Sequence, residues 1–496
     1  MKFYPNIQNS SVTVCLSLRG KADLSLKASY GGNPCGTIEI PSAFGYVAAE
    51  IKLSEKHLWE IGQGNLYDLS LIFGDDEVKS YFALREVTFD DGFLFINGEK
   101  IFMRLVLDQG FYEEGVYTAP TDKDLENDIL NSLKCGFNGA RLHEKVFEER
   151  FLYYADKHGY IVWGEYPDWG LGHSDPVNIY SILPEWTEEI NRDFNHPAII
   201  GWCPHNETWD QYGKKQYDPA IKLLYDMTKA LDPTRPCIDT SGNYHVVTDL
   251  YDLHDYSSDP AKLASHYADL NNMSHHSAFK NRQTYRGGAV FISEYGGIGW
   301  NVGDGWGYGN GPKTEEEFYS RLEALTSALV ENPNVSGFCY TQLTDVEQER
   351  NGLFTFSRAP KFDLPRLKKI FSQPRPKSKI RYGYLSRFDP AKELKHPDTE
   401  TGPDFVPTDK LFDASAVDLL KNSDSTPDAV LEALYNFIKS DFASASAFET
   451  SNDSRDVPTI PETAENIETD DCFEYFDPYY GYGESDEFEQ GDDLER

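Results

Sequence analysis

The chain has 496 residues, 82 acidic and 46 basic, for a formal net charge of −36. That charge argues against polyanionic partners, so neither nucleic acid nor an anionic membrane surface is expected. A composition 40% hydrophobic and 14% aromatic is that of a soluble globular protein with length for two or three domains, and with no run of about 20 apolar residues no membrane span is expected.

The N-terminus, MKFYPNIQNSSVTV, carries no apolar h-region, so no signal peptide is expected. Residues 1–88 read as a small β-sandwich. SVTVCLSL, TIEI, YVAAEIKL, LYDLSLIF and EVKSYFAL alternate apolar with polar, and Gly, Pro, Asn and Asp separate them. From about residue 89 the pattern changes, and short apolar runs alternate with helical periodicity. The strands in order are KIFMRLVL (100–107), FNGARL (137–142), YIVWGE (160–165), AIIGWC (198–203), PCIDT (236–240), DLYDLHDY (249–256), AVFISEYGG (289–297) and VSGFCYTQL (335–343). Between them, Thr121 reads as the N-cap of a helix ending near Gly136, and a second helix stops at Gly159. Further helices read near 181–194 and 215–231, and Thr314 with Glu317 reads as a capping box. Eight strands with intervening helices over 89–375 predict a (β/α)₈ barrel; a doubly wound sheet is the competing reading and would need fewer strands.

Beyond 375 the pattern thins. A C-terminal extension, 376–440, holds one weak helix that starts near Pro427. Residues 441–496 contain 18 Asp and Glu against two Arg and are expected to be disordered, because so few aliphatic residues cannot offset the entropy of ordering. Seven cysteines, Cys15, Cys35, Cys135, Cys203, Cys237, Cys339 and Cys472, include no CxxC pair. Those at 135, 203, 237 and 339 sit in apolar contexts, so buried free thiols and a reducing, cytoplasmic location are expected.

The chemistry lies at two strand ends. PHNETWD (204–210) places Asn206 and Glu207 just past strand four, and Glu294 ends strand seven, 294 − 207 = 87 residues later. A barrel gathers such residues at its C-terminal face. A retaining glycosidase needs two carboxyls about 5–5.5 Å apart, one as acid/base and one as nucleophile. Either glutamate alone is more simply a salt-bridged residue; the pair is the signal. Arg141, at the end of strand two, is placed to keep Glu294 ionised. Asn206 can bond a sugar hydroxyl, and Tyr256 can donate to the nucleophile. His143, His254, Glu165 and Asp108 are strand-end polar groups that could contact hydroxyls. Trp169, Trp209, Trp300 and Tyr340 could stack on sugar faces or simply pack. The run WNVGDGWGYGNG (300–311) reads as a mobile loop over the site. No HExxH, no clustered Cys/His, no GxSxG and no phosphate loop occur, so neither metal nor cofactor is expected.

These residues carry a resemblance. The chain resembles glycoside hydrolase family 2, whose members include β-galactosidases, β-glucuronidases and β-mannosidases. The matching motifs are Asn206-Glu207 in PHNETWD, Glu294 in ISEYGG, INGEKIFMR (96–104), FNGARLHEK (137–145), YIVWGEYP (160–167), NRDFNHPAIIGW (191–202), DPTRPC (232–237) and TDLYDLHDY (248–256). LYDLSLIFGDDEVKSYFALREV (66–87) is similar to the family's Ig-like domain. The resemblance covers about 50–370 and implies an Ig-like domain at 1–88, a catalytic barrel at 89–375, Glu207 as acid/base and Glu294 as nucleophile. It implies a retaining exo-β-glycosidase acting on an oligosaccharide or glycoside. β-Galactosidase comes first among the sugars, with β-glucuronidase or β-mannosidase as the alternative; a homo-oligomer is compatible with this. Two features depart from the family. The residues before the Ig-like domain are too few for the usual sugar-binding jelly-roll. Strand one reads RLVLDQGFY (104–112) where many members carry a histidine-bearing sequence. Loss of the jelly-roll keeps open a carbohydrate-binding protein without turnover; the presence of both glutamates counts against it.

Overall fold

Val12, Val14, Leu16, Leu24, Leu26 and Ala28 are buried along one strand, and their partners Ala49 and Ile51 face the same core. In the computed structural model, which describes residues 1–208, 210, 214–273, 276 and 281–376, they belong to a five-stranded antiparallel sheet. Its strands are β1 (Lys2–Asn6), β2 (Ser11–Tyr30), β3 (Asn33–Lys52), β4 (Tyr67–Phe73) and β5 (Asp76–Phe82). The sequence reading divided β2 and β3 differently. SVTVCLSL is the first part of the 20-residue strand β2, and TIEI and YVAAEIKL are parts of the 20-residue strand β3. Pro41 and Gly45 read as breaks, but β3 pairs with β2 alone, and an edge strand tolerates a proline. Gly31 and Gly32, at φ 55° and 81°, form the hairpin turn. Register shifts between Leu18 and Lys21 and between Ala22 and Leu24 bend the long hairpin.

This sheet docks on the next unit through specific polar contacts. Trp59 Nε1 donates to the Asp156 carbonyl at 2.7 Å, Tyr81 Oη to Asp156 Oδ2 at 2.8 Å, and Arg85 Nη1 to the Ile199 carbonyl at 2.8 Å. A small antiparallel sheet, β6 (Val87–Asp90), β7 (Phe93–Ile96) and β8 (Glu99–Ile101), follows. KIFMRLVL is therefore divided, with Lys100 and Ile101 in β8 and Met103 onward in the barrel.

The barrel strands are β9 (Met103–Asp108), β10 (Gly139–Leu142), β11 (Ile161–Glu165), β12 (Ile199–Cys203), β13 (Asp252–Asp255), β14 (Val290–Gly296) and β15 (Val335–Thr341). All pairs are parallel, in the order β12-β11-β10-β9-β15-β14-β13. The first and last strands in sequence, β9 and β15, are neighbours, which excludes the doubly wound alternative. PCIDT, read as strand five, is not a full strand. It stands beside β12 through the bridges Trp202–Cys237 and Asn206–Ser241, and Asp249 N–H donates to the Cys237 carbonyl at 3.0 Å on its other side. Asp239 peels this segment away, because its carboxylate accepts from the N–H groups of Val246 and Val247 and meets His245 Nδ1 at 2.7 Å.

The surrounding helices are α1 (Asp122–Cys135), α2 (Glu149–His158), α3 (Ile179–Asp193), α4 (Asp218–Leu231), α5 (Pro260–His266), α6 (Glu315–Val330) and α7 (Leu364–Phe371). Gly136, at φ 96°, ends α1 in the left-handed region. Thr314 caps α6 by accepting from Glu317 N–H at 3.2 Å; Glu317 in turn reaches Lys313 N–H at 2.8 Å, one residue before the expected capping-box partner. The six described cysteines are free and buried, and among the described residues no helix is long and apolar enough to cross a membrane. Trp209, Cys472, the acidic tail and the C-terminal extension beyond Pro376 lie outside the described residues.

Two tryptophans lock the strand that delivers Glu207. The Trp163 ring lies over Gly201, and the Trp202 ring over Gly164; a Cβ added at Gly201 would sit 2.2 Å from Trp163. Gly201→Ala is therefore expected to cost about 1–3 kcal/mol by overpacking, read as a lower denaturant midpoint. A midpoint equal to that of the parent would show that the ring can move aside.

Candidate active site

The ends of β10 to β14 converge on one side chain. Arg141, at the end of β10, is buried and spends all five guanidinium N–H bonds on neighbours. Nε donates to Glu165 Oε1 at 2.6 Å, and Nη2 to Glu165 Oε2 at 3.1 Å and Asn206 Oδ1 at 3.0 Å. Nη1 donates to Glu294 Oε1 at 3.0 Å and the Ser293 carbonyl at 2.9 Å. Such a buried cation is tolerable only because two carboxylates face it. Burial disfavours its charge, but Glu165 and Glu294 hold it well above the usual arginine range.

Glu294 is acted on from every side. Burial pushes its carboxyl up, yet His254, Arg141 and His143 together with the Tyr256 hydrogen bond outweigh burial and hold it below the usual range. Tyr256 Oη donates to Glu294 Oε2 at 2.5 Å. Glu165 shows the same balance, with Arg141 and His143 holding it down against burial.

Glu207 sits in a different environment. Its backbone adopts φ 48°, in the left-handed region, and its N–H is held by the Ser241 carbonyl at 3.0 Å. His254 Nδ1 lies 2.6 Å from Glu207 Oε1, and Nε2 lies 3.4 Å from Glu294 Oε1, so one imidazole bridges both carboxylates. Burial lowers the proton affinity of His254, but Glu294 and Glu207 raise it further than burial lowers it. One oxygen of Glu207, one of Glu294 and a nitrogen of His254 all lie within 4.8 Å of one another. The Glu207 side chain is 20% exposed against 6% for Glu294.

Two buried polar atoms at this site make no hydrogen bond to the protein. Asn206 Nδ2 is buried without an acceptor, and His143 Nδ1 is buried without a hydrogen bond, 3.7 Å from Glu165 Oε2. Buried polar groups are rarely left unpaired, so both atoms are suited to a ligand hydroxyl.

Behind Asn206 stands a buried cluster that sequence reasoning missed. Asp168 accepts from Asn206 N–H at 3.3 Å and meets His205 Nδ1 and His173 Nε2 at 2.9 Å each. Asp168, His173 and His205 could together hold a metal ion, as could Glu207, His254 and Glu294, since the ligand atoms of each set lie within 4.8 Å. The loops after β11 and β12 create the first set from residues with no motif spacing.

Other sequence candidates stand outside the cluster. Asp108 is buried, accepts from Gly110 N–H at 2.9 Å, and is pushed up to about 7 by burial and by Asp128. Tyr340 packs between Tyr295 and Phe371, and Trp300 against Phe318 and Phe362, in the layer joining barrel and helices. Trp169 is 58% exposed. The glycine-rich run expected to lie as a mobile loop over the site makes backbone bonds from Tyr308 N–H to the Gly297 carbonyl and from Trp306 N–H to the Gln348 carbonyl, both at 2.8 Å. It supplies Tyr308, whose ring lies flat on Tyr256 with centroids 3.5 Å apart. Periodicity is silent in a glycine-rich run, so no sequence signal pointed to Tyr308.

The barrel is similar to that of known proteins. The model of the glycosyl hydrolases family 2 TIM barrel domain matches residues 87–373. A β-galactosidase of Leuconostoc mesenteroides is 26% identical over 240 residues, 46% of this chain and 22% of that protein. A β-glucuronidase of Pongo abelii is 33% identical over 104 residues, 20% of this chain and 16% of that protein. The matched part is thus about a fifth of the length of these curated relatives. The structure of a β-D-glucuronidase for Dictyoglomus thermophilum superposes with a TM-score of 0.62 at 18% identity, covering 75% of this chain and 68% of that one, a likeness of fold.

Proposed function

We propose, because the chain belongs to glycosyl hydrolase family 2, that it is a retaining exo-β-glycosidase acting on terminal β-linked sugars, with Glu207 as acid/base and Glu294 as nucleophile. The observation that carries this reading is the carboxylate pair. One oxygen of each glutamate lies within 4.8 Å of the other, and the two environments differ. Arg141 and Tyr256 clamp Glu294 in its ionised form, whereas Glu207 is more exposed and shares a hydrogen bond with His254. Separations of about 5–5.5 Å belong to retaining enzymes, and wider ones to inverting enzymes.

In the first step a Glu294 oxygen bonds to the anomeric carbon while the bond to the leaving oxygen breaks, and Glu207 delivers the proton that oxygen needs. In the second, Glu207 takes a proton from water, whose oxygen displaces the Glu294 ester and restores the original configuration. Asn206 Nδ2, buried without an acceptor, would donate to a sugar hydroxyl, a contact that strengthens as charge develops.

Among sugars β-galactoside comes first and β-glucuronide or β-mannoside second. An Ig-like reading of 1–88 is supported by the antiparallel sheet with its own buried core, and a cytoplasmic location by the free thiols. The test is a panel of 4-nitrophenyl β-glycosides. Nitrophenol release from at least one is expected, and release from none would overturn the reading.

The pH profile has a defined sign. Glu294 must be ionised to attack, and its carboxyl is held below the usual range. The acid limb of kcat/KM, which reports the free enzyme, is therefore expected below the usual carboxylate range, with activity lost only as pH falls through it. Arg141→Gln removes one of the charges holding Glu294 down, so the limb should move to higher pH. An unmoved limb in a folded variant would mean that Arg141 does not set the ionisation of the nucleophile.

A further inference from the structure

We propose that the sugar subsite beside Glu294 is built for a neutral glycon and rejects uronic acids, through a ring of four side chains at the ends of β9 and β15. This rests on the glycosidase reading above. The ring is Gln109, which follows β9, and Gln342, Glu349 and Asn351, which follow β15. Gln109 Nε2 donates to Gln342 Oε1 at 2.8 Å and to Glu349 Oε2 at 3.0 Å. Gln342 Nε2 donates to Asn351 Oδ1, and Asn351 Nδ2 to Glu349 Oε1, both at 3.0 Å. The loop carrying Tyr308 joins the ring to the carboxylate pair. Trp306 bridges to Glu349, and Tyr308 stacks on Tyr256, which donates to Glu294.

The chemistry of the ring is that of hydroxyl recognition. Gln342 and Asn351 each keep one amide hydrogen beyond the bonds named, and Glu349 keeps acceptor capacity on both oxygens. A hydroxyl both donates and accepts, so it can use both. A carboxylate only accepts, and it would enter a site already holding Glu165, Glu207, Glu294 and Glu349. The buried cation beside Glu294 is already committed. Arg141 has no free N–H. Among the described cations of the neighbouring loops, Lys361 pairs with Asp345 at 2.8 Å, Arg358 with Asp128 at 3.1 Å, and Lys145 donates to the carbonyls of Gly110 and Tyr117, while Arg350, between Glu349 and Asn351, is exposed, where solvent and salt screen its charge. Like charges brought together without compensation are strongly rejected.

The test compares 4-nitrophenyl β-D-galactoside, glucoside and mannoside with the β-D-glucuronide and β-D-galacturonide on the full chain. The best neutral substrate is expected to exceed both uronides in kcat/KM by about 100-fold or more. Glu349→Gln, which keeps the shape and removes the charge, should narrow that ratio about tenfold, chiefly by raising the uronide value, with the melting temperature confirming a folded variant. A wild-type preference for a uronide, or a ratio unchanged in Glu349→Gln, would overturn the proposal. If neither class is turned over, the glycosidase reading fails and binding decides the present one. Calorimetry with isofagomine and its uronic-acid counterpart should favour the neutral compound at least tenfold, about 1.4 kcal/mol, and the reverse order would sink the proposal.

Discussion

Replacing Glu207 by alanine is expected to lower turnover by about 10²–10⁴-fold on a glycoside with a poor leaving group. The loss should be much smaller for the first step on 4-nitrophenyl or dinitrophenyl glycosides, whose leaving oxygens depart without a proton. On those substrates the glycosyl-enzyme forms but is hydrolysed slowly, because no base activates water. Added azide needs no base and should restore part of the rate, yielding a β-glycosyl azide. The structure supports this division of labour. Glu207 is more exposed than Glu294, and among the described residues its carboxylate hydrogen-bonds His254, without the Arg141 clamp. Near-parent turnover of Glu207→Ala on a poor leaving group, or azide that restores nothing on an activated one, would remove Glu207 from the role.

How far the sequence discloses such a site depends on what each residue's neighbours in space are. The barrel was legible because its apolar runs end in polar residues at one face, so Arg141, Asn206, His254 and Glu294 could be brought together on paper before any distance was known. Tyr340 shows the limit. Every residue of VSGFCYT is buried, as in parallel strands covered on both faces, so hydrophobicity cannot say which way a ring points. The structure resolves it by parity. Phe338 and Tyr340, two residues apart, both pack toward Phe371, whereas Cys339 lies on the opposite face, close enough to Arg141 and Glu294 to feel both charges. The long hairpin of β2 and β3 was hidden for another reason. Pro41 and Gly45 signal breaks locally, and only the pairing of the whole strand with β2 overrides them. Asp168, His173 and His205 were invisible as a set because two loops, not one periodic element, bring them together.

Glu294→Gln or Glu294→Ala should have the larger effect, a loss on the order of 10⁴-fold or more that azide cannot repair with retention. A β-glycosidic carbon needs an ionised oxygen on the face opposite the leaving group. Glu294, like Glu165, is kept ionised against its own burial, through Arg141 at 3.0 Å, His254 at 3.4 Å and the Tyr256 hydroxyl, and it is the one that pairs with Glu207 across the site. A 2-deoxy-2-fluoro β-glycoside of the accepted sugar slows both steps, and with a good leaving group it slows hydrolysis of the ester more. It should therefore accumulate one covalent ester per chain, and peptide mapping should place the added mass in the peptide containing FISEYGG. Proton NMR of early turnover should show the β-anomer first. Label on any other peptide, or an α-anomer as the first product, would sink both the nucleophile assignment and the retaining mechanism, since a water attacking directly would need the wider carboxylate separation that this site, with oxygens within 4.8 Å, does not have.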